Sequence, residues 1–220
     1  MCGRFTNKLT WEQIHRLYQL TLDAPMNLRP RYNIAPTQDV LTIVAGEGGR
    51  RAATMRWGLV PFWAGEIPKA STFNARAEGI ADKPMWRDPF RKRRCIVLAD
   101  GFYEWTGKST DRQPHYFTRA DGQPLSFAGL WDRNTALDLV SCAIVVTGAN
   151  KQMRPYHDRM PVLLEMNDID RWLAEPDASL LKPSKAELSI HPVSKAVNNV
   201  RNDGPDLVEP VGQGLLPGLL

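Results

Sequence analysis

The 220-residue sequence has little cysteine and little histidine: Cys2, Cys95 and Cys142, and four scattered histidines. An odd cysteine count without CxxC spacing does not build a disulfide framework, and no Cys/His cluster suggests zinc, so no metal is expected. No apolar run reaches membrane-spanning length, and the first residues lack the basic and apolar segments of a secretory signal. No repeat, linker or low-complexity block divides the chain. These absences point to a reducing, cytoplasmic setting without membrane contact. Neither sign of charge dominates: 28 Lys and Arg against 24 Asp and Glu give a formal net charge of +4. That excess permits an anionic partner without requiring one.

What is present reads as one globular α+β domain over residues 1–209, followed by a loose Gly-, Pro- and Leu-rich tail over 210–220. The expected architecture is a predominantly antiparallel, curved or barrel-like β-sheet with peripheral helices. Thr10 and Gln13 form a capping-box pattern at the head of a helix reaching Leu22, with Trp11, Ile14, Leu17 and Tyr18 on one face. Pro25 and Pro30 then break the pattern. Strands are expected at 40–45, 53–57, 94–99, 102–105, 114–118, 126–131 and 140–146, with turns at 46–49, Asp100-Gly101 and Asp121-Gly122. Asn167 is read as the cap of a second helix carrying Ile169, Trp172 and Leu173, and a short helix is expected near 194–200. Cys95 and Cys142 lie inside apolar strands, where cysteine is a small core hydrophobe. Arg87, Arg91, Lys92, Arg93 and Arg94 crowd one stretch, either a solvated surface loop or a patch for an anion.

Cys2 has different chemistry. Initiator methionine is generally removed ahead of a small residue, which makes Cys2 the first residue with an amine and a thiol on adjacent carbons. The amine has an ordinary pKa of about 7.7–8.0, far below that of lysine, and the thiol one of about 8.5. Such a pair can attack an amide carbonyl through sulfur, with the amine as base. It can also condense with an aldehyde to an imine that the thiol closes to a thiazolidine. Position alone leaves a third possibility, an ordinary cysteine without a role.

Seven segments narrow the choice. In order they are Cys2-Gly3-Arg4-Phe5, Arg31-Tyr32-Asn33-Ile34-Ala35-Pro36, Trp57-Gly58-Leu59-Val60-Pro61-Phe62-Trp63, and Phe73-Asn74-Ala75-Arg76-Ala77-Glu78. Then come Asp100-Gly101-Phe102-Tyr103-Glu104-Trp105, His157-Asp158-Arg159-Met160-Pro161 and His191-Pro192-Val193-Ser194. The set, in this order, resembles the SOS response-associated peptidase (SRAP) family of abasic-site processing proteins, from Cys2 to about Val208. The resemblance implies a covalent thiazolidine crosslink between Cys2 and abasic sites in single-stranded DNA, and autocatalytic removal of Met1. It implies no cofactor, and the chain is expected to act as a monomer.

Each motif residue also has a physical reading. Strand alternation sets Glu104 on the face opposite Tyr103 and Trp105. A carboxyl among apolar residues has a raised pKa and can shuttle protons near neutrality, and the resemblance makes Glu104 the acid/base. His157 suits the proton transfers of ring opening and dehydration. Asn74 and Arg76 share a strand face, where an amide beside a guanidinium can hold sugar and phosphate. Glu78 is read as a partner of Arg76. Arg4 and Arg159 are phosphate contacts or structural ion pairs. Trp63, with Pro36 and Met85, can wedge against neighbouring bases, a stacking contribution of roughly 1–3 kcal/mol per base. Ala64 stands where some family members carry a second tryptophan, which makes the wedge smaller. Trp57 is read as core, and Asn33 as shaping the pocket. Two rivals remain: a class II glutamine amidotransferase, which also begins Met-Cys-Gly, and a non-catalytic single-strand binder using Arg4, Arg76 and Trp63.

Overall fold

Two β-sheets carry most of the structure, a computed structural model describing residues 2–21, 26–108 and 111–212. The elements in chain order are β1 (Phe5–Asn7), α1 (Trp11–Tyr18), β2 (Arg31–Ile34), β3 (Asp39–Gly46), β4 (Gly49–Trp57), β5 (Asn74–Arg76) and α2 (Pro84–Lys92). They continue as β6 (Arg94–Ala99), β7 (Gly101–Thr106), β8 (Gln113–Arg119), β9 (Leu125–Asn134), β10 (Leu139–Gly148), β11 (Arg159–Pro161), α3 (Ile169–Ala174) and β12 (Leu188–Pro192). One sheet runs β12-β8-β7-β1-β2, and the other β11-β10-β4-β3-β6-β9 with β5 beside β10. Because β10 also pairs with β9, the second sheet closes on itself. Pairing is antiparallel except where β10 meets β4 and β5. The fold is therefore the expected α+β class, with a barrel-like closure.

The sequence pattern explains the layering. Along β6, Cys95, Val97 and Ala99 enter the core between the sheets, whereas Ile96 and Leu98 face the helices. Both faces of that strand are buried, hence its continuous apolar run. Trp57, Cys95 and Cys142 are fully buried in the inter-sheet core, as the sequence suggested. Ile14 and Tyr18 of α1, Trp86 and Phe90 of α2, and Trp172 of α3 cover the other face of the closed sheet. A smaller cluster of Tyr103, Tyr116, Val193, Val197 and Leu207 covers the outer face of the first sheet.

Several local expectations change. The Thr10–Gln13 capping box forms, but α1 ends at Tyr18, where Gln19 adopts a left-handed conformation and Leu20 bridges to Arg50. Leu22 and Pro25 lie outside the described residues. Asp168, not Asn167, precedes α3, because a 3-10 turn over Met166–Asp168 leads into it. The Asp100-Gly101 step links strands of different sheets instead of closing a hairpin, and Gly101 already belongs to β7. The basic stretch is no surface loop. Pro84 starts α2 at a position where its missing N–H costs nothing. Arg94 beyond it is buried, donating to the carbonyls of Phe90, Trp172 and Leu173, and Arg93 pairs with buried Asp132 at 3.1 Å. Ser194 caps a 3-10 turn over Lys195–Asn198, and Val211 N–H donates to the Pro192 carbonyl. The remaining tail, 213–220, is outside the described residues.

Candidate active site

The amino-terminal strand positions the site. β1 lies between β2 and β7, with Phe5 opposite Phe102 and the Tyr103 N–H donating to the Arg4 carbonyl. Cys2 is thereby carried into the inter-sheet core, where it is fully buried. From β5, the Asn74 side-chain amide donates to the Cys2 carbonyl at 2.9 Å. Burial pushes the Cys2 thiol well above its ordinary range, and the Glu104 carboxylate pushes it further. Sulfur is therefore held as a thiol, a correction to the free-cysteine value used in reading the sequence. The amine is the nucleophile that can act first, once Met1 is gone.

Glu104 sits as the alternation predicts. It shares the inner face of β7 with Phe102, while Tyr103 packs on the outer face with Tyr116, and Trp105 packs against that cluster. Its residue is only 4% exposed, and burial raises its carboxyl above the ordinary glutamate value. A carboxyl raised in this way is better suited to donate a proton as well as accept one. Glu104, His157, Gly3 and Arg4 line one cavity of about 590 Å³.

His157 Nδ1 lies 2.8 Å from the Asp158 carboxylate and also 2.9 Å from the Arg159 N–H. The two contacts require opposite protonation of that nitrogen. Burial lowers the His157 pKa, the Arg159 N–H is fixed in β11, and the Asp158 side chain is 83% exposed. The neutral ring with Nδ1 accepting from Arg159 is the favoured state, which puts the proton on Nε2.

The other sequence-selected residues divide into two groups. Arg76 is exposed on β5, two residues from Asn74 on the same face, with Ala75 in the core. Arg159 donates twice to Glu78, at 2.6 and 2.7 Å. Glu78 therefore pairs with Arg159, not principally with Arg76. Its carboxyl is lowered despite some desolvation, by hydrogen bonds to its own backbone and to Arg159. Trp63 is 57% exposed and Phe62 52% exposed, on a loop whose base is tied by Leu59 N–H to the Thr72 carbonyl. Asn134 donates to the Pro61 and Ala64 carbonyls and holds the loop's start rigid. Phe62 was not singled out in the sequence, where a second ring was sought at Ala64. Pro36 is half-buried in a turn that Trp57 braces from both backbone sides. Met85 packs against the helix-side core.

Asn33 and Arg4 build a wall. Asn33, 2% exposed, donates to the carbonyls of Val197, Asn199 and Asn202, and its oxygen accepts from Arg4 Nη1 at 2.7 Å. The same Arg4 nitrogen donates to the Val197 carbonyl. Asn33 braces the segment behind Lys195 and Asn198, which line the cavity, and its side-chain polar atoms are engaged within the protein.

Fold and site together set a buried second-residue cysteine, held by an amide and facing the charge of a buried carboxyl, next to a cavity that the same carboxyl lines with an imidazole. Among known proteins, the family model described as SOS response associated peptidase (SRAP) matches residues 1–200, and the chain belongs to that family. Abasic site processing protein YoqW of Bacillus subtilis is 36% identical over 222 residues, covering 95% of this chain and 99% of the relative. Abasic site processing protein YedK of Escherichia coli is 32% identical over 227 residues, covering 96% and 100%. A solved protein from Bacteroides thetaiotaomicron superposes with a TM-score of 0.81 at 24% identity, covering 95% and 99%, and so shares the fold.

Proposed function

We propose that this protein traps the aldehyde of abasic sites in single-stranded DNA as a thiazolidine at Cys2, after loss of Met1. The observation that carries the proposal is the grip of Asn74 on the Cys2 carbonyl, with Glu104 beside the thiol. The names of the relatives YoqW and YedK support abasic sites as the target.

The chemistry balances without a co-reactant. The Cys2 amine adds to the open-chain aldehyde, giving a carbinolamine. Glu104 in its acid form protonates the departing hydroxyl, water leaves, and an iminium remains. The Cys2 thiol gives its proton to the Glu104 carboxylate as sulfur adds to the iminium carbon, closing the ring. His157, with a proton on Nε2, assists the opening of the sugar hemiacetal. Asn74 fixes the Cys2 backbone so that amine and sulfur reach the same carbon. Arg76 and Arg159 grip flanking phosphates, and Trp63 with Pro36 contacts bases beside the lesion. In the same reading, this carboxyl and thiol also carry out cleavage of the Met1–Cys2 amide.

Denaturing gels with an abasic oligonucleotide test this reading. Wild type is expected to give a heat-stable adduct and Cys2→Ala none. Cys2→Ser should give only a labile imine that borohydride traps. A stable adduct with Cys2→Ala overturns the mechanism.

A further inference from the structure

The cavity at Glu104 is larger than its chemistry requires. Pockets of roughly 300–1,000 Å³ hold drug-sized ligands, and about 590 Å³ exceeds what one base-free sugar fills. Beyond Glu104 and His157 the cavity is lined by Trp105, Gly107, Asp111, Arg112, Lys195 and Asn198, residues to which the mechanism above gives no part. We propose that this outer half is a subsite for one nucleotide flanking the lesion, taking its phosphate on Arg112 and Lys195 and its base against Trp105. The proposal rests on the aldehyde-trap reading of the same site.

The outer half is rigid and cationic. Trp105 donates through Nε1 to Asn198 at 2.7 Å, and the Arg4 guanidinium lies 5.8 Å from its ring centroid. The ring is thus fixed as a wall, and stacking on such a wall tolerates any base. Asn33 and Arg4 pin the turn that carries Lys195 and Asn198 by hydrogen bonds to the carbonyls of Val197, Asn199 and Asn202. Opposite, Gly107 has a φ of +93°, and a Cβ there would lie 2.7 Å from the Asp111 carbonyl. Arg4, Arg112 and Lys195 supply the cations, and Arg4 Nε is a buried donor without a partner.

Asp111 fits the same picture. Its carboxylate pairs with Lys195 across the cavity, and both side chains are more than half exposed. Such pairs contribute little to stability and exchange readily. Asp111 therefore occupies the place on Lys195 that a phosphate takes when the strand enters.

Equilibrium binding tests this, using a single-stranded oligonucleotide with a tetrahydrofuran analogue of the abasic site, which cannot crosslink. The Arg112→Gln/Lys195→Gln double variant is expected to bind about tenfold more weakly. Its log–log salt slope should be shallower by about 0.7, the contribution of one phosphate neutralised on a single strand. Asp111→Asn should instead tighten binding roughly two- to fivefold by removing the competing anion. Oligonucleotides ending directly 5′ or directly 3′ of the lesion identify the occupied side, because only one truncation brings wild type down to the double variant. Unchanged affinity and slope in the double variant overturn the subsite, as does weaker binding by Asp111→Asn. Failure of wild type to form an adduct with a true abasic oligonucleotide counts separately, against the aldehyde-trap reading.

Discussion

At the scale of residues, the site sets burial against ionisation. The aldehyde trap proposed above asks Glu104 to move protons, and burial raises its pKa in the direction that role requires. A carboxyl raised in the folded state above its unfolded value of about 4.3 stabilises the fold below that value. The contribution is lost as pH rises through the folded pKa, because the charged form is then held in a poorly solvated place. Glu104→Gln is therefore expected to melt higher than wild type at pH 8, with the difference disappearing near pH 4. For a chain of this size about 1 kcal/mol moves the midpoint by roughly 2–4 °C, so scanning calorimetry at the two pH values resolves it. The same variant should slow adduct formation by about 10²–10⁴-fold, the usual contribution of a positioned acid/base. Alternation around Glu104 was legible because Tyr103 and Trp105 flank it. The engagement of Asn33 was not, because its partners lie up to 169 residues away in sequence.

Elements were legible where one period dominated. The Thr10–Gln13 box marks the head of α1, and β6 is bounded as its apolar run indicates. Helix α2 was not expected from the sequence; it carries Pro84 at its start and Pro89 inside it, and an interior proline ordinarily breaks a helix. The basic residues there are not all alike: Arg87, Arg91 and Lys92 are exposed, whereas Arg94 is buried. Arg94 stitches the end of α2 to α3 through carbonyls of both, a task that needs several fixed donors in a plane. Arg94→Lys is expected to destabilise by about 1–3 kcal/mol, the cost of leaving buried carbonyls unsatisfied, as read from urea unfolding. Its affinity for single-stranded DNA should equal that of wild type, which separates a structural guanidinium from a phosphate contact. The short β1, β5 and β11 each span only three residues, too few for periodicity to reveal them. Asn74 and Arg76 were found through their motif and their alternation around Ala75.

At the scale of the whole molecule, the amino-terminal end lies within the first sheet and the inter-sheet core instead of trailing from the surface. β1 is flanked by strands on both sides, and Cys2 is buried beyond it. A non-removable residue placed ahead of Cys2 is expected to abolish the adduct on denaturing gels while leaving the far-ultraviolet spectrum native, because it blocks the amine without removing any strand. The sequence pointed to Cys2 through its motif, but the sheet that surrounds it depends on pairings between distant segments.

The bond from Arg4 to the Val197 carbonyl spans 193 residues. At synthesis rates of about 5–20 residues per second, Val197 joins the chain roughly 10–40 s after Arg4 does. During that interval the bonds from Arg4 and Asn33 to the 197–202 segment are missing and the burial of Cys2 is unfinished. A ribosome-associated aminopeptidase thus has a window in which to remove Met1 from the nascent chain, ahead of any self-cleavage by the folded protein.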